Sequence, residues 1–402
     1  MKKCVSFFLL LALLLCLCPL TPALAVDEQI LTPNQPLTSC LTSNKDSKNF
    51  LLQLPESGSL ELSFRFVPKG NYYVTLYILE DDGTLSQLQK THFSFSGETV
   101  TGTVKRTANK LRLPAGDYYV KVTPFSTNYC SEDFTLTAVY EEEPDSSFEK
   151  EFNGSAAHSM KLRPNRPVTG NLGSDYDEDY YSFELMESSS VQISFRFDQD
   201  GSYYVTLYRV DDGGGLQQHQ KTHFSNNSGS ELGFVNRTTE KLRLPAGLYF
   251  VKVSPFSSTA CNADYALTVN AREEPEDSFE KEFNNSGATA TPIETGVEIT
   301  GNLAEVDQKD YFHFTMDVSA AVSIQLRYDP YGCYYLTVYR SEPNGDLTQI
   351  MKTRFAPSSR ESINETIVNT LDPLDLSAGD YYIMISLGEK TSSEDYFLTV
   401  LH

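Results

Sequence analysis

Short runs in which apolar and polar residues alternate recur along most of this chain. In residues 191–197 every second residue is apolar and shares one face, namely Val191, Ile193, Phe195 and Phe197. A period of two is typical of a strand that buries one face. Residues 181–185 and 249–253 alternate in the same way, and turns rich in Asp, Gly and Pro separate the runs. Because long amphipathic helical stretches are absent, the pattern predicts an all-β fold of antiparallel β-sandwiches, jelly-roll-like in type.

This pattern occurs three times. Ser-Phe-Arg-Phe at 63–66 returns at 194–197, which is 131 residues later. Tyr-Tyr-Val-Thr-Leu-Tyr at 72–77 returns at 203–208, and again as Tyr-Tyr-Leu-Thr-Val-Tyr at 334–339. A period this long exceeds the ~20–50 residues of a solenoid unit, so each copy is expected to be a whole domain.

Two acidic, proline-containing stretches, at 141–145 and 273–277, divide the copies and predict extended, fairly stiff linkers. We therefore divide the chain into a signal peptide and three sandwich repeats, called repeats 1, 2 and 3. Their predicted bounds are 1–25 for the signal, 26–141 for repeat 1, 142–272 for repeat 2 and 273–402 for repeat 3. The N-terminal start of repeat 1 is degenerate.

Residues 1–25 have the pattern of a secretory signal, with Lys2 and Lys3, an apolar stretch at 7–17, and Ala-Leu-Ala at 23–25. The apolar stretch is shorter than the ~20 residues of a membrane-spanning helix, so a secreted or surface-held protein is expected. The formal charge of −22 becomes −24 when the two lysines leave with the signal. Such a charge opposes binding to nucleic acid and suits divalent cations, although solubility alone also explains it.

Four cysteines lie outside the signal: Cys40, Cys130, Cys261 and Cys333. Cys40 ends the first predicted strand of repeat 1 and Cys130 begins its last, so the two could be bridged if those strands are antiparallel neighbours. A bridge between Cys261 and Cys333 would join two repeats. Free or buried thiols are the alternative, since four cysteines allow several pairings.

A specific series of motifs runs through repeats 2 and 3. Repeat 3 has Glu-Lys-Glu-Phe-Asn-Asn-Ser at 280–286, a Gly-Asn-Leu end at 301–303, and Ser-Ala-Gly-Asp-Tyr-Tyr at 377–382. Repeat 2 repeats the order from Glu-Lys-Glu-Phe-Asn-Gly-Ser at 149–155. The series resembles the bacterial pre-peptidase C-terminal domain over nearly the whole mature chain, most loosely in repeat 1. Those domains are β-sandwiches that follow the catalytic domains of secreted peptidases, so the resemblance implies an accessory or adhesive role.

Some members of that family, including the collagen-binding domains of clostridial collagenases, bind calcium through the linker and the loop after the Gly-Asn strand. The resemblance implies calcium ligands in two repeats. In repeat 2 they are Glu149, Glu151, Asn153, Asp177 and Asp179, and in repeat 3 they are Glu280, Glu282, Asn284, Asn285, Asp307 and Asp310. Calcium prefers such oxygen ligands, although a solvated acidic linker has the same composition. No calcium is expected in repeat 1.

The Tyr-Tyr-Val-Thr-Leu-Tyr strand predicts an outward stripe of tyrosines in every repeat. Its members are Tyr73, Tyr77, Tyr204, Tyr208, Tyr335 and Tyr339, with a threonine between the two of each repeat. Tyrosine offers a large area with a hydrogen-bonding tip, which suits the stacking of sugars or extended peptide. Packing between neighbouring strands is the alternative interpretation.

The chain carries no His-Glu-Xaa-Xaa-His, Gly-Xaa-Ser-Xaa-Gly or glycine-rich phosphate-loop signature. We therefore expect no enzyme. The leading hypothesis is a non-catalytic binding protein for an extracellular polysaccharide or matrix protein, with tandem display raising avidity. The alternatives are a structural cell-envelope protein and an accessory subunit of a secreted peptidase.

Overall fold

The computed structural model describes residues 29–80, 83–97, 101–125, 131–144, 146–211, 213–226, 233–256, 262–274, 278–303, 309–357, 366–388 and 394–402. The predicted signal peptide, Cys130, Cys261 and Asp307 lie outside these residues. The described part is built almost wholly from strands, as the alternation predicts. None of its helices is long and apolar enough to span a bilayer.

The described residues of each repeat form ten strands. In repeat 1 they are β1 (Gln29–Ile30), β2 (Leu37–Ser39), β3 (Lys48–Leu54), β4 (Gly58–Phe66), β5 (Tyr72–Leu79), β6 (Leu85–Phe93), β7 (Val104–Thr107), β8 (Leu111–Leu113), β9 (Gly116–Pro124) and β10 (Phe134–Glu142). In repeat 2 they are β11 (Met160–Lys161), β12 (Val168–Gly170), β13 (Asp179–Leu185), β14 (Ser189–Asp198), β15 (Ser202–Val210), β16 (Leu216–Ser225), β17 (Phe234–Thr238), β18 (Leu242–Leu244), β19 (Gly247–Pro255) and β20 (Tyr265–Glu273).

Repeat 3 continues with β21 (Thr291–Pro292), β22 (Glu298–Gly301), β23 (Lys309–Met316), β24 (Ala320–Tyr328), β25 (Tyr334–Ser341), β26 (Leu347–Phe355), β27 (Ile367–Thr370), β28 (Leu374–Leu376), β29 (Gly379–Leu387) and β30 (Tyr396–Leu401). Single 3-10 turns, Ala156–His158 and Gly287–Thr289, precede β11 and β21.

Each repeat contains two five-stranded sheets with the same strand order. In repeat 2 one sheet runs β11-β13-β19-β15-β16, and the other runs β12-β20-β14-β17 with β18 also paired to β14. Repeats 1 and 3 have the same two orders. The pairing is antiparallel, as predicted, except that the two-residue edge strands β1, β11 and β21 pair in parallel with β3, β13 and β23.

The predicted apolar faces are the buried ones. Val191, Ile193, Phe195 and Phe197 are at most 2% exposed, and they meet side chains of the other sheet such as Tyr203 in one cluster. Repeat 3 has a matching cluster around Ile324, Leu326 and Phe312. The sandwich core thus lies between the sheets, and the outer faces of both sheets are available for other roles.

Most of repeat 1 forms one compact unit, whereas repeats 2 and 3 form a second unit together with residues 56–61 and 109–114. The short strand β8 of repeat 1 therefore groups with repeat 2. This assignment matters for the site, because β8 carries Arg112.

A glycine turn starts the penultimate long strand in every repeat. Gly116, Gly247 and Gly379 have φ values of 156°, 153° and 147°, which favour glycine over residues with a Cβ. Two residues later a buried tyrosine closes the corner. The hydroxyls of Tyr249 and Tyr381 donate to the carbonyls of Pro245 and Ser377 at 2.8 Å.

Candidate functional site

The linker that enters repeat 2 is fixed by backbone hydrogen bonds. The Glu149 amide donates to the Thr169 carbonyl at 2.9 Å, and the Glu151 amide donates to the Arg112 carbonyl at 2.7 Å. The Asn153 carbonyl accepts from the amide of Tyr180 at 2.9 Å. These bonds hold residues 149–153 as an ordered strand-like segment and bury its polar side chains.

Glu149 is buried and fully engaged by protein donors. Its Oε1 accepts from the Asn171 amide at 2.6 Å, and its Oε2 accepts from the Tyr181 hydroxyl at 2.9 Å. Burial raises the pKa of Glu149 to about 7, against the opposing effects of these hydrogen bonds and Arg112. The same cause raises the pKa of Glu280 in repeat 3 to about 7.

Two buried arginines, Arg112 and Arg243, hold these linkers. Arg243 is 3% exposed, and its Nε donates to Glu274 Oε2 at 3.0 Å. Its Nη1 donates to Asn302 Oδ1 at 2.8 Å, and its Nη2 lies 3.0 Å from Asp395 Oδ2. We call each such arginine with its partners an arginine clamp.

Arg112 forms the matching clamp at the linker of repeat 2. Its Nε donates to Glu143 at 2.8 Å, its Nη1 donates to Asn171 at 2.6 Å, and its Nη2 lies 3.1 Å from Asp264. Neither clamp was predicted from the sequence, although the arginine between two leucines in Lys-Leu-Arg-Leu, at 110–113 and again at 241–244, was a signal. Repeat 3 has Asp375 at the same register, because Asp375 faces Ala321 as Arg243 faces Ser190.

Beyond Glu149, three carboxylates of repeat 2 converge. One oxygen each from Glu151, Asp177 and Asp179 lies within 4.8 Å of the others, and we call this group the carboxylate cluster. Burial and the negative charges of Asp177 and Glu149 raise the pKa of Glu151 well above its usual range. Burial first, and then the neighbouring carboxylates, raise the pKa of Asp179 as well. Like charges confined at this distance favour a bound cation or proton.

The donors of the cluster fit calcium. Glu151 Oε1 and Asp179 Oδ1 are buried without a hydrogen-bond partner, and so is the amide oxygen of Asn153. An unpaired buried oxygen costs free energy unless a ligand satisfies it. Carboxylate and amide oxygens are the ligands calcium prefers. The structure brings together three of the five residues predicted in repeat 2, namely Glu151, Asp177 and Asp179, and buries a fourth, Asn153. The fifth, Glu149, is instead bound to the arginine clamp.

Repeat 3 shows part of the same arrangement. Asn284 Oδ1 and Asp310 Oδ1 are buried without a hydrogen-bond partner, and Glu282 is 3% exposed. Asn285 is placed differently, because its Oδ1 accepts from the backbone amide of Lys309 at 3.2 Å. Asp307 lies outside the described residues, so the loop side of this predicted site stays a prediction.

The predicted tyrosine stripe lies on the outer face of the β15 sheet and its counterparts. All six tyrosines are half-buried, and the threonines between them, including Thr206 at 1% exposure, are buried. Thr206 lies between Lys221 and Lys252 of the neighbouring strands. The outward threonine is therefore covered by its neighbours, which the alternation does not reveal.

One lysine covers the first tyrosine of the stripe in each repeat. Lys90 Nζ lies 4.0 Å from the ring centroid of Tyr73, and Lys221 Nζ lies 3.8 Å from that of Tyr204. Lys352 Nζ lies 4.7 Å from the ring of Tyr335. These distances fit cation–π contacts, and each pair, which we call a Tyr–Lys pair, occupies the same register.

Repeats 1 and 2 extend the pair into an aromatic cluster. His92 stacks on Phe125 at 4.0 Å between centroids, and His223 stacks on Phe256 at 3.8 Å. His223 Nε2 lies 2.9 Å from Ser202 Oγ, so this ring nitrogen has a hydrogen-bond partner. Phe125 and Phe256 are 41% and 45% exposed, and the sequence analysis did not single them out.

For the predicted Cys40–Cys130 bridge, the structure bears only on the premise that the two strands are antiparallel neighbours. Strands β2 and β10 are antiparallel neighbours, with Ser39 opposite Phe134, so Cys40 does lie near the start of β10. Cys130 lies outside the described residues, and the proposed bridge stays a prediction. Cys333 is buried at 4% exposure, whereas Cys261 also lies outside the described residues.

A half-buried histidine, His219, packs against the linker that follows repeat 2. His219 occupies a bulge in β16, where the register with β15 shifts between Leu207 and Tyr208. Its ring stacks on Phe283 at 3.4 Å between centroids, and the guanidinium of Arg209 lies 4.7 Å from that phenylalanine ring. Burial, assisted by the charge of Arg209, lowers the pKa of His219 to about 4.

This lowered pKa predicts a pH effect on stability. Because the unfolded value is about 6.5, the folded state favours neutral His219. Its contribution is complete above pH ~6.5 and is lost as the pH falls towards 4. We expect His219→Gln to lose less stability than the native chain between pH 6.5 and 4.5, as measured by urea midpoints. The exposed His158→Gln serves as control, and identical pH slopes for His219→Gln and the native chain would contradict the assignment.

Comparisons with known proteins leave the family open. No protein-family profile matches the chain. The pre-peptidase C-terminal domain of a collagenase from Bacillus anthracis is similar over 28% of this chain and 94% of its own length, with 17% identity and a TM-score of 0.19. The CBM22 tandem domain of Xyn10C from Paenibacillus barcinonensis covers 58% of this chain and 84% of its own length, with 13% identity and a TM-score of 0.20.

A third structure, the PBSX exported protein XepA, covers 58% of this chain and 85% of its own length, with 10% identity and a TM-score of 0.18. Sequence identities and TM-scores this low support no conclusion about a ligand. The assignment of β-sandwiches therefore rests on the strand orders and the buried faces of this chain itself.

Proposed function

We propose that this chain is a secreted, non-catalytic binding protein whose three repeats recognise an extracellular polysaccharide or matrix protein. The observation that carries the proposal is the Tyr–Lys pair, which recurs at one register on the outer sheet face of all three repeats. Core packing does not require this pair, because the inward residues of the same strands already fill the core.

The chemistry of these faces suits weak, repeated recognition. Each face offers half-buried tyrosine rings and an exposed lysine. Among the described residues, this lysine contacts the tyrosine ring and has no carboxylate partner. Tyrosine edges and hydroxyls contact sugars or peptide at low entropic cost, and lysine adds a hydrogen-bond donor. Three such faces on one chain raise avidity by ~10²–10⁴ when a polymer spans them.

The binding proposal is tested by replacing the tyrosine of each pair. Tyr73→Ala, Tyr204→Ala and Tyr335→Ala are each expected to lower retention on an immobilised polymer several-fold, and the triple variant to abolish it. The assay is sedimentation with insoluble polysaccharides and with fibrillar collagen, while circular dichroism verifies folding. Tyr176, which is 94% exposed and lies outside the stripe, provides the control Tyr176→Ala. A folded triple variant that binds like the native chain would contradict the proposal.

We further propose that calcium stabilises the linker of repeat 2, and in a related way that of repeat 3. Glu151, Asn153, Asp177 and Asp179 would hold the ion in repeat 2 through carboxylate and amide oxygens. The ion would supply positive charge that offsets the repulsion among these carboxylates. The clamped Glu149 would keep the linker in place beside it.

A further inference from the structure

A polar cleft crosses the outer face of the second sheet of repeat 2, away from the tyrosine stripe. It measures about 600 Å³, and its polar lining residues are Ser194, Arg196, Asn236, Arg237, Thr238 and Thr268. The register places these side chains in two rows across β20, β14 and β17. Thr268, Ser194 and Thr238 form one row, and Ala266, Arg196 and Asn236 form the other. The volume falls within the range of ~300–1,000 Å³ typical of ligand sites.

Repeats 2 and 3 differ in the side chains around the arginine of this face. Ala266 lies opposite Arg196, whereas Phe397 lies opposite Arg327 at the same register of repeat 3. The Arg327 guanidinium stacks on Phe397 at 3.6 Å and forms an ion pair with Glu298 at 2.7 Å. Repeat 3 thus fills this place with its own side chains, while the alanine of repeat 2 leaves it free.

The guanidinium of Arg196 is held in position without a carboxylate partner among the described residues. It lies 3.9 Å from the ring centroid of Phe234, a side chain that is 52% exposed at the rim of the sheet. Ser194 Oγ accepts a hydrogen bond from Asn270 Nδ2 at 2.7 Å, which orients the hydroxyl. The cleft therefore presents two arginines, Arg196 and Arg237, several hydroxyl and amide groups and an aromatic edge.

We propose that this cleft binds an oligosaccharide whose sugar units carry carboxylate groups. The planar guanidinium of Arg196 matches a carboxylate through two parallel hydrogen bonds. The serine, threonine and asparagine side chains match sugar hydroxyls, and Phe234 contacts the apolar side of a sugar ring.

The sheet geometry favours a sugar over an extended peptide. Peptides that add to sheets use the free backbone groups of an edge strand. The floor of this cleft is β14, whose backbone is paired with β20 on one side and with β17 and β18 on the other. Only side chains face the ligand there, and their hydroxyls and amides suit a hydroxyl-rich chain. This site is independent of the tyrosine faces, which lie on the other sheet.

Titration calorimetry of the full chain with short oligogalacturonate, oligomannuronate and a neutral cello-oligosaccharide of equal length tests the site. We expect at least one of the two acidic oligosaccharides to bind. The neutral oligosaccharide should bind at least about tenfold more weakly than that one, because it lacks the charged partner of Arg196. Arg196→Ala should weaken acidic binding by a similar factor. Ala266→Phe, which copies repeat 3, should weaken it while preserving the melting temperature.

Matched variants separate this proposal from the others. Arg327→Ala removes the equivalent arginine of repeat 3 and should leave binding unchanged, as should Tyr176→Ala at an exposed position outside the cleft. The proposal is overturned if neither acidic oligosaccharide binds. It is also overturned if a folded Ala266→Phe variant binds like the native chain, or if Arg196→Ala affects acidic and neutral sugars equally.

Discussion

Replacing Arg243 with alanine is expected to lower the free energy of unfolding by about 3–5 kcal/mol, the cost of removing one partner of a buried ion pair. The guanidinium contacts Glu274, Glu280 and Asp395 and is 3% exposed. Without it, these carboxylates face one another with no buried cation. Burying an uncompensated charge is costly. The substitution therefore destabilises the folded state and has little effect on the unfolded state. Calorimetric melting of the full chain measures it.

Three further variants define the cause. Arg243→Lys keeps the charge but loses the forked geometry, so an intermediate loss is expected. Arg112→Ala should behave like Arg243→Ala, because its contacts are equivalent. Arg272→Ala removes an exposed arginine of β20 and should change stability by less than about 0.5 kcal/mol. A loss for Arg243→Ala no larger than that for Arg272→Ala would show that the clamp contributes little.

Calcium is expected to raise the melting temperature of the full chain relative to chelator. At a concentration 100-fold above the dissociation constant, one site adds about 2.7 kcal/mol of stability. For a domain of this size that corresponds to a shift of roughly 5–10 °C. Scanning calorimetry at neutral pH with millimolar calcium or chelator measures the shift, and its absence would contradict the calcium proposal.

Glu151→Gln makes this test sharper, because its two effects have opposite signs. The variant removes a buried charge that Asp177 and Glu149 repel, so it should melt at a higher temperature than the native chain in chelator. It also removes a ligand, so it should lose most of the calcium shift. Glu282→Gln tests repeat 3 in the same way. Asp175→Asn alters a loop carboxylate outside the cluster and should retain the native response.

Much of the fold follows from local sequence pattern, whereas the contacts that define the sites do not. Alternation predicts which face of 191–197 is buried, since burial of one strand face is a local property. The partners of Arg243 lie as far away as Asn302 and Asp395 and depend on how strands meet. The pairing of Lys221 with the Tyr204 ring likewise depends on the register of two strands, which alternation leaves undetermined.

The candidate calcium site was predictable to a different degree. The resemblance to a known domain indicated a set of acidic residues, and the structure gathers three of them, Glu151, Asp177 and Asp179, into one cluster. It did not indicate that Glu149 is bound by an arginine from the preceding repeat. The cleft of repeat 2 was not predicted at all, because the difference between Ala266 and Phe397 is visible only once their positions opposite the two arginines are known.

The arginine clamps make the order of the repeats matter. Arg112 comes from repeat 1 but balances the linker of repeat 2, and Arg243 comes from repeat 2 but balances the linker of repeat 3. Exchanging repeats 2 and 3 would bring Asp375 to the place of an arginine, beside the buried Glu149. The repeats are therefore not interchangeable modules, because the contacts between consecutive repeats fix their order along the chain. Any engineered array must carry each arginine together with the linker that follows it.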